Sequence, residues 1–272
     1  LGEAALTAAD AARYFDAYVA AIAELGRAAA GADPDAAPSI SVKLSALHPR
    51  YEFAQRERVL AELVLLLCRL AGQARGAGIS LTVDAEEAAR LELSLDVFEA
   101  VFRAPACDGW PGLGLAVQAD RKSAPQVLDW LAALARGKRR RIMVRRVKGA
   151  YWDSEIKRAQ ELGLDGYPVF TRKAATDVSY IACVKRLFAA PAAYYPQFAT
   201  HNAHTVAVVQ ELARWLSLGC LTRITAGLHA SNEGQVVVVW PAVQFVAEQW
   251  VARMLEMDSD LVRPTSAWFA PQ

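Results

Sequence analysis

One short segment brings a cation, a glycine and two aromatic residues to the end of a strand. Residues 142–148 have the pattern of a short strand, and a helical pattern begins near Asp153. Between them lies Lys-Gly-Ala-Tyr-Trp at 148–152. A turn that only joins a strand to a helix rarely needs so much charge and aromatic surface. The segment therefore predicts the floor of a binding site.

Polar residues also follow most of the other strand-like runs. They are Lys43, Asp84, Gln118, Lys148 with Tyr151, Arg172 with Lys173, His201 with Asn202, and His229. In a parallel barrel the strand ends form one rim, where the chemistry of such folds is located. Cations and amide groups dominate this set, as a phosphate-bearing cofactor or a carboxylate substrate requires. The aromatic residues beside them suit a planar ring.

Each of these residues also has a simpler structural interpretation. Asp84 is a good N-cap for a helix beginning near Glu86. Lys43 fits a solvated strand end, and Gln118 fits an amide that satisfies loop backbone groups. His201-Asn202 fits a turn with a helix cap, and Tyr151-Trp152 fits a pair of core aromatic residues.

Eight strand-like runs alternate with helical patterns along the chain. They cover residues 39–45, 79–83, 113–119, 142–148, 167–171, 197–200, 221–226 and 236–240. Such alternation predicts parallel strands with crossover helices, and eight units favour a closed (β/α)8 barrel over an open sheet. No GxGxxG motif follows the first strand, which argues against a dinucleotide-binding Rossmann unit. We expect a helix and linker over 1–38 and the barrel over 39–272.

Composition limits the functional classes. The 272 residues are 54% hydrophobic with a formal net charge of +1, which indicates a globular protein and does not suggest a nucleic-acid partner. Four widely spaced cysteines predict free thiols in a reducing cytosol, and four scattered histidines predict no metal site. No apolar run reaches membrane-spanning length, and no secretory leader is recognised. Because the first residue is Leu1, we expect a piece of a longer protein.

Several long segments carry a family resemblance. They are SVKLSALHPRYE (41–52), LTVDAEEAARLE (81–92), GLAVQA (114–119), residues 144–183 with KGAYWDSEIKRAQ and GYPVFTRK, and FATHNAHTVA (198–207). On these residues the chain resembles the proline dehydrogenase domain of the bifunctional proline utilization A flavoenzymes. The resemblance covers most of residues 39–207, and the 144–183 block is very specific.

The resemblance implies a distorted (β/α)8 TIM barrel that binds FAD non-covalently. It further implies oxidation of L-proline to Δ1-pyrroline-5-carboxylate by hydride transfer to flavin N5, with electrons passed to a membrane quinone. A cytoplasmic location, peripheral contact with the inner membrane and an aldehyde dehydrogenase module in the full-length protein are further expectations of this kind.

The family's binding residues map onto named positions of this chain. The implied FAD contacts are Asp84, Ala85, Val117, Gln118, Arg145, Lys148, Gly149, Ala150, Tyr151, Trp152, Thr171, Arg172, Lys173, Thr200, His201 and Asn202. The implied substrate contacts are Lys43, Asp84, Tyr151, Leu228, Arg253 and Glu256, of which Lys43, Asp84, Tyr151 and Arg253 are the expected catalytic residues.

The chain departs from the family pattern in three places. Asp120-Arg121-Lys122-Ser123 stands where the family typically has Tyr-Gln-Lys-Arg, and Arg146 stands where it has Leu. Near the end, Ala252 and Arg253 occupy the positions of two arginines that bind the proline carboxylate, and Glu256 is their ion-pair partner. Loss of one such contact costs about 1.5–3 kcal/mol, or roughly tenfold to a hundredfold in affinity.

Three functional hypotheses follow. The first is a flavin-dependent proline dehydrogenase that binds proline weakly. The second is a barrel lyase that forms a Schiff base on Lys43 or Lys148. The third is a catalytically impaired or non-enzymatic barrel retained as a flavin-binding or assembly domain.

Overall fold

The structure is a computed structural model that describes residues 3–30, 37–215 and 223–225, with only the backbone of Trp215 and of 223–225. The helices are α1 (Ala8–Ala29), α2 (Leu44–Leu47), α3 (Arg56–Gly76), α4 (Leu91–Arg103), α5 (Ala124–Lys138), α6 (Trp152–Glu161), α7 (Lys173–Phe188) and α8 (Ala203–Trp215). The strands are β1 (Ser39–Val42), β2 (Ser80–Val83), β3 (Leu113–Gln118), β4 (Ile142–Val147), β5 (Tyr194–Ala199) and β6 (Arg223–Thr225).

The six strands of the described residues form one parallel sheet in the order β1-β2-β3-β4-β5-β6. One row of the register runs through Val42, Val83, Leu115, Val144 and Pro196. Parallel neighbours need crossover connections, and a strictly sequential order is that of a (β/α) barrel. The predicted α/β fold with barrel strand order is confirmed.

One predicted strand is wrong. Residues 167–171 do not join the sheet; Val169 forms an isolated antiparallel bridge with Arg121. The backbone of this segment pairs with the loop after β3, because Phe170 N–H donates to the Asp120 carbonyl at 2.8 Å. Pro168 lacks the N–H that a central strand position requires. The predicted strand at 236–240 and helix at 242–257 lie outside the described residues.

The main core lies between the sheet and the helices that cover its outer face. On α3, the side chains of Leu63, Leu67 and Leu70 are completely buried. They belong to the same apolar cluster as Phe98 and Phe102 of α4, whose rings stack with centroids 5.9 Å apart. Since the helices take up the apolar face of the sheet, the opposite face is available for polar side chains.

Helix α1 packs on this core and reaches the end of β1. Thr7 and Asp10 form a capping box at its start, with the Asp10 N–H donating to Thr7 Oγ1 at 3.1 Å. Tyr18 is 1% exposed, and its hydroxyl accepts the backbone N–H of Lys43 at 3.1 Å. The domain boundary at 38/39 stays a prediction. Among the described helices, none combines the length and the apolar character that crossing a membrane requires.

Helix α3 provides a matched pair of substitutions. Leu67 is completely buried, whereas Leu65 on the same helix is 66% exposed. We expect Leu67→Ala to lower the free energy of unfolding by about 2–5 kcal/mol, because it leaves a cavity. Leu65→Ala should change it by less than about 0.5 kcal/mol. Urea unfolding of both variants measures the difference; equal losses would mean that α3 does not face the core.

Candidate active site

Strand β4 distributes its side chains over two faces of the sheet. Ile142, Val144 and Arg146 are buried, and the residues between them are partly accessible. In the parallel register Arg145 lies beside Ala116 of β3 and Gln197 of β5, so these three side chains share a face. This face is the polar one.

Arg145 connects the polar face across three strands. Its Nη1 donates to Ser41 Oγ at 2.5 Å and lies 3.6 Å from Asp84 Oδ1. Ser41 belongs to β1 and Asp84 directly follows β2, so one guanidinium spans β1, β2 and β4. The side chain of Arg145 is 11% exposed and that of Asp84 is 27% exposed. The group is enclosed yet still accessible at Asp84.

The protonation of Asp84 depends on two opposing influences. Burial raises the pKa of Asp84, and the charges of Arg145 and Lys43 oppose the rise. The backbone N–H of Asp84 donates to the Val42 carbonyl at 2.9 Å, which fixes the carboxylate at the strand end. A ligand that displaces water from Asp84, or that carries a charge, will therefore shift the pKa of this carboxyl group.

The alternative role of Asp84 as a helix cap is wrong. Helix α4 begins at Leu91, after a 3-10 turn over Ala88–Arg90 whose N-cap is Glu87. Asp84 lies beyond reach of a capping position in either element. The contact of Asp84 with Arg145 explains its position at the end of β2.

Gln118 ends β3 and is 4% exposed. Its Nε2 donates to the Ala85 carbonyl at 3.4 Å, and its Oε1 accepts a hydrogen bond from Arg121 Nε. Val117, before it, offers its carbonyl to Arg146 Nη1 at 3.1 Å. The predicted residues Ala85, Val117 and Gln118 therefore meet at the end of β3.

Gly149 allows the turn after β4 to approach the loop after β3. Its φ is +129°, and an added Cβ would overlap the carboxylate of Asp120. Asp120 is 4% exposed, and its Oδ1 has no hydrogen-bond partner among the described residues. Burial raises the pKa of Asp120 to about 6, against the opposing charges of Arg121 and Arg146. A poorly solvated carboxyl group thus lies directly beneath the Lys148–Trp152 turn.

The two aromatic residues of this turn have different environments. Tyr151 is half-buried, and burial together with nearby Glu86 raises its pKa to about 12. Trp152 is the first residue of α6, and its indole N–H donates to the Phe170 carbonyl at 2.7 Å. The Trp152 side chain remains exposed, so it is not a core residue.

A second cluster lies at the N-terminus of α7. Lys148 Nζ and Lys173 Nζ lie 2.5 and 2.6 Å from the two carboxylate oxygens of Asp177. Thr171 and Arg172 are exposed beside them. Partial burial raises the pKa of Asp177, but the hydrogen bonds from Lys148 and Lys173 outweigh this effect, so the pKa of Asp177 is lowered. Three cations and one carboxylate leave this helix end positive, and its backbone N–H groups add to that.

The predicted cap interpretation holds for Asn202. Its Oδ1 accepts the backbone N–H of Thr205 at 3.0 Å at the start of α8. Thr200 is buried and its Oγ1 accepts the Asn202 N–H at 3.1 Å, while His201 is exposed. The turn presents His201 and the outer side of Asn202 at the rim.

The structure sorts the predicted site residues into three groups. Lys43, Asp84, Ala85, Gln118 and Arg145 lie at the ends of β1 to β4, whereas Lys148, Arg172 and Lys173 gather around Asp177. The remaining described positions belong to β3, to the first residue of α6 or to loops: Val117, Gly149, Ala150, Tyr151, Trp152, Thr171, Thr200, His201 and Asn202. Leu228, His229, Arg253 and Glu256 lie outside the described residues.

Sequence reasoning missed four polar or charged residues of the site: Ser41, Arg121, Asp177 and Gln197. Ser41 and Gln197 lie inside strands, and Gln197 Oε1 is buried without a hydrogen-bond partner among the described residues. Their polarity within otherwise apolar strands was an available signal. Asp177 lies four residues after Lys173, a spacing that predicts an ion pair. Arg121 gave no signal beyond its departure from the family pattern.

These groups fit a ligand with a polar ring and a phosphate-bearing tail. The Arg145 guanidinium and the Gln118 amide supply fixed donors at the strand ends. The cationic end of α7 suits phosphate oxygens. Gln197 Oε1 adds a buried acceptor that lacks a partner among the described residues. This donor set fits the FAD that the sequence resemblance implies.

Comparison with known proteins points to one family. A family model described as proline dehydrogenase matches residues 1–221. The bifunctional protein PutA of Salmonella typhimurium is 57% identical over 213 residues, which are 78% of this chain and 16% of that protein. PutA of Escherichia coli K12 is 56% identical over 213 residues, with the same coverage. The chain spans about a sixth of the length of these relatives.

A solved structure supports the same relationship. The crystal structure of a mutant of Bradyrhizobium japonicum proline utilization A superposes with a TM-score of 0.82 at 51% identity. The match covers 92% of this chain and 25% of that one.

The raised pKa of Asp120 predicts that replacing its carboxyl group stabilises the fold, by an amount that depends on pH. The folded-state pKa, about 6, lies above the ordinary value of 3.8, so burial of the charged form destabilises the fold at pH above 6. We expect Asp120→Asn to raise the free energy of unfolding by about 1–3 kcal/mol at pH 8. The gain should shrink below pH 6 and vanish below about pH 3, where this carboxyl group is protonated in both the folded and the unfolded parent chain.

Urea unfolding of both proteins at pH 8 and pH 5 tests this expectation. Asp129→Asn is a suitable control, because Asp129 is exposed and pairs with Arg186 on the surface. An Asp120→Asn gain that stays constant from pH 8 to pH 5 would contradict the assigned protonation of Asp120.

Proposed function

Because the chain belongs to the proline dehydrogenase family, we propose that it oxidises L-proline to Δ1-pyrroline-5-carboxylate with bound FAD as hydride acceptor. The observation that carries this proposal is the fixed Ser41–Asp84–Arg145 group at the strand ends, 3.6 Å or less between partners. When bound, FAD supplies a two-electron acceptor. The chain supplies binding, orientation and charge.

Arg145 and Gln118 orient the polar edge of the flavin ring. Both are held by other residues of the chain, Arg145 by Ser41 and Gln118 by Arg121. Donors that are already oriented need little reorganisation when charge moves onto the ring. Their role is therefore to favour the reduced cofactor electrostatically.

The rim residues hold the rest of the cofactor. Arg172, Lys173 and the α7 N-terminus bind the pyrophosphate, and Lys148 is oriented for this by Asp177. The Thr200–Asn202 turn meets the ribose and adenosine portion, with Trp152 beside the cofactor chain. Ala85, Val117, Gly149, Ala150 and Thr171 line this path.

Lys43, Asp84 and Tyr151 face the substrate. L-proline enters with a neutral amine and gives up hydride without a general base. Asp84 and Lys43 adjust the potential around the developing positive charge on the substrate nitrogen. Leu228, Arg253 and Glu256 complete the substrate pocket in this proposal, with Arg253 binding the proline carboxylate.

The wider setting is also a proposal. In this proposal a quinone at the inner membrane would be the final electron acceptor, and a cytoplasmic protein would make peripheral contact with that membrane. The relatives named above are bifunctional proteins, and we infer an aldehyde dehydrogenase module in the full-length protein.

One sequence observation favours a second candidate. Ala252 occupies the position of one carboxylate-binding arginine, so a flavin-binding domain with impaired proline oxidation is the alternative. The lyase hypothesis on Lys148 has less support, because Lys148 Nζ lies 2.5 Å from Asp177 Oδ1 and this contact engages the nitrogen that a Schiff base requires.

A visible spectrum separates these functions. Purified chain supplied with FAD should be yellow after desalting, and anaerobic L-proline should bleach its flavin absorbance. Half-bleaching at a proline concentration about tenfold to a hundredfold above that of a relative with both arginines would match the loss of one charged contact. Yellow protein that proline never bleaches favours the flavin-binding domain, and colourless protein refutes the proposal.

Arg145→Gln tests the central group directly. Loss of a charged donor should weaken FAD binding roughly tenfold to a hundredfold, because one charge-assisted contact disappears. Fluorescence titration with FAD measures the dissociation constant. Arg186→Gln is the matched control, since Arg186 pairs only with exposed Asp129 in the described contacts. Equal affinities for the two variants would remove Arg145 from the cofactor site.

A further inference from the structure

Arg121 is a buried guanidinium in contact with three different segments. The residue is 5% exposed and lies in the loop between β3 and α5. Its Nε donates to Gln118 Oε1, and its Nη2 donates to the Glu86 carbonyl. The same Nη2 lies 3.2 Å from Glu155 Oε1 on α6. A buried charge with three acceptors is held in one orientation.

That orientation determines which end of the Gln118 amide is available. The amide oxygen accepts from Arg121, so the amide cannot rotate by 180° without placing its NH2 group against a guanidinium. The amide nitrogen donates one hydrogen to the Ala85 carbonyl at 3.4 Å. A second N–H remains for a ligand, because a primary amide has two donors.

We propose that Arg121 is a positioning residue that fixes Gln118 as a hydrogen-bond donor toward the flavin ring. The inference rests on the proposed function, because it requires FAD at the strand ends. It concerns a residue that the family pattern does not carry, since glutamine typically stands at this position.

A fixed donor has a measurable electrochemical consequence. Reduction adds negative charge to the ring, and a donor stabilises that charge more than it stabilises the oxidised ring. If the amide could rotate, its oxygen would repel the same charge for part of the time. Arg121 therefore favours the reduced flavin and raises the midpoint potential.

A purely structural role for Arg121 would involve other contacts. Glu155 is buried, and its Oε1 also accepts the Ala88 N–H at 2.5 Å. The Arg121–Glu155 pair thus attaches α6 to the loop after β3, and the Ala88 contact attaches α6 to the segment after β2. These contacts could matter for stability alone. Glu155→Gln weakens this pair, keeps an acceptor for Ala88 and leaves the Arg121–Gln118 contact in place.

The experiment compares the full 272-residue chain with Glu155→Gln and with the double variant Arg121→Met, Glu155→Gln. The double variant avoids leaving the buried carboxylate without its cation. Each protein is loaded with FAD, and the flavin midpoint potential is measured by spectroelectrochemistry beside the urea midpoint. A third variant, Arg121→Lys, restores a donor at this position.

Compared with Glu155→Gln, the double variant should show an about tenfold weaker preference for the reduced flavin. This corresponds to a midpoint potential that is about 30 mV lower for a two-electron couple. Glu155→Gln alone should lower the urea midpoint and leave the potential unchanged, and Arg121→Lys should recover most of the potential.

Two results would overturn the proposal while the proposed function stands. In one, the double variant binds FAD with the potential of the parent chain. In the other, Glu155→Gln by itself shifts the potential as much as the double variant does. If the parent chain fails to bind FAD, the proposed function is refuted and the role of Arg121 with it.

Discussion

The contact of Arg145 with Ser41 and Asp84 is the interaction on which the site depends. A parallel sheet brings strand ends together, yet their side chains repel or lose solvation unless a counter-charge is present. Here a single guanidinium, 11% exposed, reaches a hydroxyl on β1 and the carboxylate after β2. Burial raises the pKa of Asp84, and Arg145 and Lys43 counter that rise. The charge state of the strand-end layer is therefore a shared property of three strands.

Behind this layer the chain buries an unusual amount of charge. Asp120, Arg121, Arg146 and Glu155 are all at most 5% exposed. Within the described residues Arg146 forms no ion pair; its Nη1 donates to the Val117 carbonyl, and its guanidinium lies 5.6 Å from the centroid of the Tyr180 ring. Burial lowers its pKa accordingly. Buried ions contribute little to stability by themselves. Each one fixes the geometry of its neighbours, because an orientation that leaves a buried charge without hydrogen-bond partners costs free energy.

The two ends of the site differ in solvent exposure and therefore in the strength of their electrostatic interactions. The strand-end group is enclosed, so its hydrogen bonds are strong and oriented. The α7 end is exposed, and its Lys148, Arg172 and Lys173 attract anions through charge that salt screens. This division suits a cofactor whose ring must be oriented and whose phosphates must only be held. Asp177 keeps the two lysines in place without cancelling the positive end of the helix.

The sequence by itself determined the alternation of strands and helices, the polar residues at the strand ends and the importance of the turn at Gly149. These are local patterns, and periodicity shows which face of an element is apolar. Only the tertiary structure decided that Asp84 faces Arg145 and does not cap a helix, and that residues 167–171 pair with the loop after β3 and do not enter the sheet. It alone revealed Arg121 as the partner of Gln118. The physical reason is that a hydrogen bond between distant segments depends on how those segments pack, and a one-dimensional pattern carries each residue's preference but not its partner.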